Sequence, residues 1–189
     1  MAYFSCPQLE AGSVPNRANF LVNGDFRRTT TNTANANYDR EFPDTWTKAS
    51  GVSTAYRNRV ILSKDADLGL PAGVKGNALQ LYSRPTRDSV AFGQKVYVKG
   101  VANDVYIVGG WVNSNSVAAI PGTSHKNAPC IAYRFIKSDD SATGWKYLEF
   151  NRERVGWQFA CWPIVANVAH EKIEIHVNYA RNSRTCWFT

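Results

Sequence analysis

The stretch that decides the fold class reads Lys172-Ile173-Glu174-Ile175-His176-Val177-Asn178-Tyr179. Apolar and polar residues alternate strictly along it. Successive side chains of a β-strand point to opposite faces, so a period of two predicts a strand with one buried face and one polar face. We therefore expect the isoleucines, the valine and the tyrosine to lie in a core, and the residues between them to face outward.

Outward from this stretch, further alternating or apolar runs predict more strands. These runs are residues 79–82, 90–98, 105–113, 131–135, 145–151 and 157–165. Turn-forming residues separate them at 71–73, 75–77, 99–100 and 139–141. Because no segment carries a long period of 3.6, the sequence predicts an all-β fold, an antiparallel β-sandwich. Residues 29–37 and 114–128 are expected to be exposed loops.

Composition indicates one globular domain, because the chain has 189 residues and 44% of them are hydrophobic. Aromatic residues make up 13%, which favours strands and leaves rings that could stack on a ligand. The net charge is +7, which fits either a soluble basic surface or an anionic partner such as an acidic polysaccharide. The basic residues form no stripe, so nucleic acid is not expected as a partner. No apolar run reaches 18 residues, and no membrane insertion is expected.

The four cysteines are Cys6, Cys130, Cys161 and Cys186. They form no C-x-x-C pair, so their spacing is not that of a zinc site. Their apolar surroundings predict buried free thiols, although a disulfide remains open because spacing does not fix a pairing.

Residues 2–6, Ala-Tyr-Phe-Ser-Cys, are similar to residues 185–189, Thr-Cys-Trp-Phe-Thr. A tandem array would carry such a closing strand at both ends of a fragment cut from it, whereas a chance match is the alternative. Residues 1–6 also lack the basic, apolar and small-residue regions of a signal peptide, as expected for a fragment from inside a longer protein.

Several motifs, taken in order, carry a family resemblance. They are Tyr3-Phe4-Ser5-Cys6-Pro7-Gln8-Leu9-Glu10, Asn19-Phe20-Leu21-Val22-Asn23-Gly24-Asp25-Phe26, Pro43-Asp44-Thr45-Trp46, Gly76-Asn77-Ala78-Leu79-Gln80-Leu81, Phe92-Gly93-Gln94-Lys95-Val96, residues 106–112 and Gly156-Trp157-Gln158. Over almost its whole length the chain resembles the jelly-roll, galactose-binding-like carbohydrate-binding modules of large bacterial YD-repeat surface proteins. That resemblance implies a glycan-binding repeat at the bacterial cell surface. Residues 1–15 would be a closing strand and linker from a preceding repeat, and residues 16–189 the module itself.

Two departures from this family bear on calcium. Relatives often carry Glu after the N-G-x-F motif and Asp in the closing strand, where this chain has Arg27 and either Ser5 or Thr189. Calcium prefers several carboxylate oxygens. Asp25 remains only as a weak metal candidate, and we expect no cofactor.

A glycan site needs aromatic rings for stacking and planar polar groups for hydrogen bonds to hydroxyls. Trp145 and Tyr147 share one face of a predicted strand and are the first candidates for stacking. The other candidates are Trp162, for which a core position is the alternative, and Arg134, His176, Asn178, Tyr82 and Arg84. Glu174 lies on the same polar side of its strand as His176 and Asn178, and a plain solvated face is the alternative. Trp46, Trp111, Trp157 and Trp187 are expected in the core.

No hydrolase elbow, zinc motif or nucleotide-binding loop is present. The adjacent Asp139 and Asp140 belong to a turn signal rather than to a pair of carboxylates facing a substrate. The sequence therefore predicts a non-catalytic carbohydrate-binding or adhesion module. The alternatives are a structural spacer repeat without a ligand and an accessory domain of a polysaccharide-degrading enzyme. Residues 2–10 are also expected to pack on a sandwich, either extending the sheet of their own domain or exchanging into a neighbour's sheet to make an oligomer.

Overall fold

A computed structural model of the chain describes residues 8–11, 19–32, 40–49, 59–61, 69–71, 74, 76–82, 89–114, 128–180 and 185–189. In these ranges the chain forms strands and turns and no α-helix. Accordingly, none of the described residues belongs to a helix that could cross a membrane.

The strands form two main antiparallel sheets and a small hairpin. The first sheet has six strands: β1 (Gln8–Ala11), β5 (Arg59–Ile61), β6 (Ala78–Tyr82), β8 (Val105–Ser114), β11 (Gly156–Val165) and β13 (Thr185–Phe188). The second sheet has five: β4 (Thr47–Lys48), β7 (Ser89–Gly100), β9 (Cys130–Ile136), β10 (Lys146–Glu149) and β12 (His170–Ala180). The hairpin joins β2 (Thr29–Asn32) to β3 (Arg40–Pro43).

Neighbour order places β12 at the centre of the five-stranded sheet, which runs β10-β9-β12-β7-β4. In the six-stranded sheet β8 is central, with β11 along one edge and both β13 and β1 along the other. Strands β6 and β5 follow beyond β13.

The hydrophobic core lies between the two sheets. Ile173, Ile175, Val177 and Tyr179 of β12 have no exposed surface, as the alternation predicts. They share one cluster with apolar residues of the facing sheet, including Leu79, Leu81, Val108, Val112 and Phe188. Burying such side chains contributes about 1.5–3 kcal/mol each. The prediction of an antiparallel β-sandwich is confirmed.

One buried hydrogen bond joins the two sheets. The Tyr106 hydroxyl of β8 lies 2.8 Å from Nε2 of His170 in β12. The other ring nitrogen of His170, Nδ1, is 3.1 Å from the carbonyl oxygen of Val168, which has no proton to give. Nδ1 therefore donates a hydrogen bond to Val168, and Nε2 accepts one from the Tyr106 hydroxyl. The pair satisfies two polar groups that burial would otherwise penalise.

Two of the predicted turns and loops are wrong in part. Residues 29–32 form β2 rather than a loop, because β-branched threonines suit an extended chain and this segment pairs with β3. Strand β7 continues through Gly100, and the turn falls at 101–104, where Asp104 Oδ2 accepts a bond from the amide of Val101 at 2.8 Å. Residues 33–37 and 115–127 lie outside the described residues.

Three tryptophans expected in the core lie elsewhere. Trp46 is buried as predicted and packs on Phe26 with ring centroids 5.2 Å apart. Trp111, Trp157 and Trp187 are only half-buried and lie on the outer side of the six-stranded sheet. Their strand neighbours Val112, Gln158 and Phe188 take the inward positions.

A buried glutamine explains the inversion in β11. The amide of Gln158 donates to the carbonyl oxygen of Asn151 at 2.8 Å and accepts from its backbone amide at 3.0 Å. With donor and acceptor satisfied by one backbone residue, Gln158 can occupy the inner face at little cost. Trp157, its neighbour in a strand, therefore points outward.

The described cysteines are free, in agreement with the expected thiols, but they are not all buried. Burial raises the pKa of Cys130 to about 12 and also raises that of Cys186. Cys161 is exposed, because its side chain points outward from β11. Cys6 lies outside the described residues.

Candidate functional site

The outer face of the five-stranded sheet brings together most of the residues predicted for a glycan site. We call it the polar face and define it by the outward residues Lys95, Arg134, Trp145, Tyr147, Lys172, Glu174, His176 and Asn178. The register of the paired strands determines which of these side chains are neighbours. Glu174 lies between Arg134 and Lys95, and His176 lies between Ala132 and Gly93. Directly opposed residues of antiparallel strands share one face, so these side chains are neighbours.

The carboxylate of Glu174 links the polar side chains of β9 and β12. Glu174 Oε2 accepts hydrogen bonds from Nε of Arg134 at 2.7 Å and from the terminal guanidinium nitrogen at 2.6 Å. Its other oxygen, Oε1, lies 3.1 Å from Nε2 of His176. The side chain of Glu174 is only 11% exposed. A carboxylate removed from water in this way requires such partners.

Trp145, the residue just before β10, covers this network. The guanidinium carbon of Arg134 lies 4.5 Å from the centre of the indole ring. The ring of His176 lies 4.3 Å from it, centroid to centroid, tilted by 47°. The cation–π contact and the ring contact hold the half-buried indole in one orientation. A ring held in advance loses little conformational entropy when a ligand stacks on it.

The protonation states follow from these contacts. Burial would raise the pKa of Glu174, but the hydrogen bonds from Arg134 and His176 outweigh it and lower that pKa. Burial lowers the pKa of His176, with Arg134 and Lys95 adding to the effect and Glu174 opposing it. Near neutral pH the network thus contains a guanidinium, a carboxylate and a neutral imidazole whose Nε2–H donates to Glu174.

Tyr147 and Asn178 occupy the neighbouring rows of the same face. Tyr147 pairs with Ala132, which in turn lies beside His176. Tyr147 is half-buried, and desolvation raises the pKa of its hydroxyl. Asn178 is 8% exposed and therefore contributes less surface than the alternation suggested. Leu148 and Phe150 point the other way and pack on the core.

Two of the predicted residues that the structure describes are not on the polar face. Trp162 points inward from β11 and packs edge-on against Phe150, with centroids 5.1 Å apart. Tyr82 lies in the six-stranded sheet, half-buried, at the end of β6. Arg84 lies outside the described residues. The sequence grouped these residues because strand alternation does not reveal which sheet a strand joins.

Asp25, the weak metal candidate, is engaged by a cation. Its Oδ2 lies 3.1 Å from Nε of Arg27, and its backbone carbonyl accepts from the amide of Asn77 at 2.9 Å. Among the described residues, no three His, Cys, Asp or Glu side chains converge as a metal site would require.

A second outer surface was not predicted as a site. The tryptophan face, on the six-stranded sheet, consists of Trp111, Asn113, Trp157, Phe159 and Trp187. Registration sets Trp157 and Trp187 on either side of Asn113, so the two indoles lie two strand spacings apart, roughly 10 Å. Trp111 contacts Phe159 with centroids at 5.4 Å. The sequence signal for an apolar outer face was that no polar residue occupies the odd-numbered positions of 157–165.

A concavity at the edge of β7 lies next to the polar face. Its volume is about 350 Å³, and Phe20, Thr45, Gln94 and Tyr97 are among its lining residues. Gln94 and Val22 both line it, and the side-chain amide of Gln94 exchanges two hydrogen bonds with the backbone of Val22, at 2.8 and 2.9 Å. None of the predicted site residues lines it.

Comparisons with known proteins place the fold but not the activity. No protein-family model matches the chain, and neither does any curated protein sequence. A Stig cyclase from Fischerella sp. TAU, solved with an indole-containing ligand, matches with a TM-score of 0.53 at 15% identity over 94% of each chain. The enzymatically active domain of tailspike protein 4 of bacteriophage CBA120 matches with a TM-score of 0.51 at 14% identity over 77% of this chain.

This chain spans only 18% of that tailspike chain. An arabinose-bound α-L-arabinofuranosidase matches with a TM-score of 0.50 at 14% identity, over 98% of this chain and 26% of the enzyme. At such identities the similarity extends to the β-sandwich fold alone, because one fold supports unrelated functions.

Proposed function

We propose that this domain is a non-catalytic carbohydrate-binding module that holds a glycan on its polar face. The observation that carries the proposal is the position of Trp145. Its indole is fixed over the Arg134–Glu174–His176 network, so an aromatic ring and planar polar groups lie together on rigid strands. The resemblance of the motifs to surface-protein modules supports the same function and an extracellular location on a bacterial cell.

The chemistry of the face suits a hydroxyl-rich ligand. A sugar ring offers an apolar C–H face for stacking on Trp145 and hydroxyls for the remaining donors of Arg134. Tyr147 adds a second half-buried ring in the next row. Lys95 is exposed beside Glu174 and adds positive charge. Together with the net charge of +7, this favours a glycan that carries carboxylate or other anionic groups.

The protonation of Glu174 supports binding rather than catalysis. A general acid needs a raised pKa to be protonated near neutral pH. Burial alone would raise that of Glu174, but its hydrogen bonds lower it, so the group stays ionised. The exposed Asp139 and Asp140 also have lowered pKa values, chiefly through hydrogen bonds from Ser141 and Lys172 respectively.

The experiment compares one tryptophan from each outer face. The purified domain, Trp145→Ala and Trp187→Ala are applied to a glycan array that includes acidic polysaccharides, and the Kd of the best ligand is measured for all three. We expect Trp145→Ala to weaken binding by at least about two- to tenfold, since a lost stacking contact costs about 0.5–1.5 kcal/mol beyond area terms. Trp187→Ala is expected to bind like the parent.

Each other outcome points to a definite alternative. Silence across the array favours a spacer repeat without a ligand. Loss of binding only in Trp187→Ala moves the site to the tryptophan face and leaves the glycan function standing. Release of reducing sugar from a bound glycan would contradict the non-catalytic part of the proposal. Melting curves of both variants separate a lost contact from a lost fold.

A further inference from the structure

Two segments from opposite ends of the sequence lie along one edge of β8. Cys186, Trp187 and Phe188 of β13 pair with residues 114, 113 and 112. Thr189 continues this ladder, since it exchanges two backbone hydrogen bonds with Trp111, at 2.9 and 3.1 Å. Strand β1 then pairs with residues 109–106.

The two segments run in the same direction, because both are antiparallel to β8. Thr189 bonds Trp111 and Gln8 opposes Gly109, so Gly110 is the one residue of β8 that lies between the two segments. Together they cover β8 from Tyr106 to Ser114 except at Gly110. In hydrogen bonding they are equivalent to one long closing strand with a break of a single position.

The second half of this strand depends on backbone pairing with β8. Strand β1 pairs with β8 and with no other described strand. Ladder hydrogen bonds do not depend on which molecule supplies the added strand, and an exposed sheet edge accepts a strand from another chain by the same geometry. Four residues of ladder are also a small barrier to opening, compared with the ten paired positions between β8 and β11.

We propose that Gln8–Ala11 is an exchangeable strand, which one copy of this chain donates to the β8 edge of a second copy. Residues 106–109 are the acceptor, and the partner is identical, so the exchange makes a dimer or a longer head-to-tail assembly. Within one copy the strand is tethered to its own acceptor by the chain, so exchange between copies requires concentrated protein or refolding of mixed chains.

The experiment uses full-length chains and a disulfide that reports the register. Glu10 and Ile107 are directly opposed, as the geometry of a cross-strand disulfide requires. Both variants, Glu10→Cys and Ile107→Cys, carry Cys6→Ser and Cys161→Ser to remove competing thiols. The two are unfolded, mixed at high concentration, refolded and oxidised. We expect a disulfide-linked heterodimer, several-fold more abundant than with Gln8→Cys in place of Glu10→Cys, since Gln8 opposes Gly109.

A double variant, Glu10→Cys with Ile107→Cys in one chain, tests the register itself. If it forms its internal disulfide and the mixed single variants form no heterodimer, the strand does not exchange. If the double variant forms no internal disulfide, the composite strand itself is refuted. A heterodimer equally abundant with the Gln8→Cys control would also overturn the proposal, because it would reflect random collision.

Discussion

The two outer faces of the sandwich use opposite means of meeting solvent. On the polar face, charged side chains bond one another, and Glu174 is only 11% exposed although it points away from the core. On the tryptophan face, half-buried indoles and Phe159 cover the strands around Asn113. An outward position is therefore not the same as a solvated one. Each face hides its strands from water, one by ion pairing and the other by aromatic packing.

One glycine beneath each face, Gly93 and Gly109, shows how the two faces differ in rigidity. A Cβ at Gly93 would collide with ring atoms of His176, which can rotate away. A Cβ at Gly109 would lie 2.8 Å from the carbonyl oxygen of Ala160 and 2.7 Å from Cβ of Cys161. Backbone in a paired strand cannot move in this way.

The largest effect we predict is therefore that of Gly109→Ala. We expect it to reduce the free energy of unfolding by about 1–3 kcal/mol, as overpacking does. Gly93→Ala should cost less stability but displace His176 and weaken glycan binding. Denaturant unfolding and binding, measured on both variants, check the pair. Equal losses of stability would show that the two faces are equally rigid.

The inward and outward orientations of side chains could be predicted from the sequence for the polar face but not for the tryptophan face, and the reason is physical. The residues of 172–179 alternate in polarity, so their inward and outward sets could be read directly. Apart from Gln158, residues 157–165 are apolar on both sides, and the inward position of Gln158 depends on a bond to Asn151, seven residues away. Sequence shows the polarity of a residue but not a distant partner that satisfies it.

The candidate site was predicted in part for the same reason. Arg134, His176 and Trp145 were chosen as polar or aromatic residues of separate predicted strands, and the pairing of β9 with both β12 and β10 brings them together. Trp162 met the same criterion but belongs to the other sheet. Strand pairing over long sequence separations decides such cases, and a single sequence does not encode it in any short pattern.

Acidification should affect the polar face more than the tryptophan face. The pKa of Glu174 and the pKa of His176 are both lowered in the folded protein, so the unfolded chain binds more protons as the pH falls. Stability is then lost on acidification, first through the usual range of histidine near pH 6.5 and then through that of the carboxylate.

We therefore expect the melting temperature to fall from pH 7 to pH 4, and to fall less in Glu174→Gln. Asp139→Asn is the control, because the pKa of Asp139 is also lowered, by bonds from Ser141, but its carboxylate is exposed. If Asp139→Asn flattens the pH profile as much as Glu174→Gln, the acid response does not come from the polar face.

The smallest effect we predict comes from a label on the tryptophan face. Cys161 is exposed on the outer side of β11, between Phe159 and Pro163, whereas Cys130 and Cys186 are buried. The thiolate is the reactive form, and burial raises the pKa of the two buried thiols, so both should resist a maleimide until the chain unfolds. In a Cys6→Ser variant, one equivalent should react with the native protein, and peptide mapping should place it at Cys161.

Because the polar face lies on the other sheet, the bulky label should leave the Kd for glycan unchanged. A labelled protein that folds normally but no longer binds would transfer the binding function from the polar face to the tryptophan face, and the comparison between the two surfaces would then be reversed.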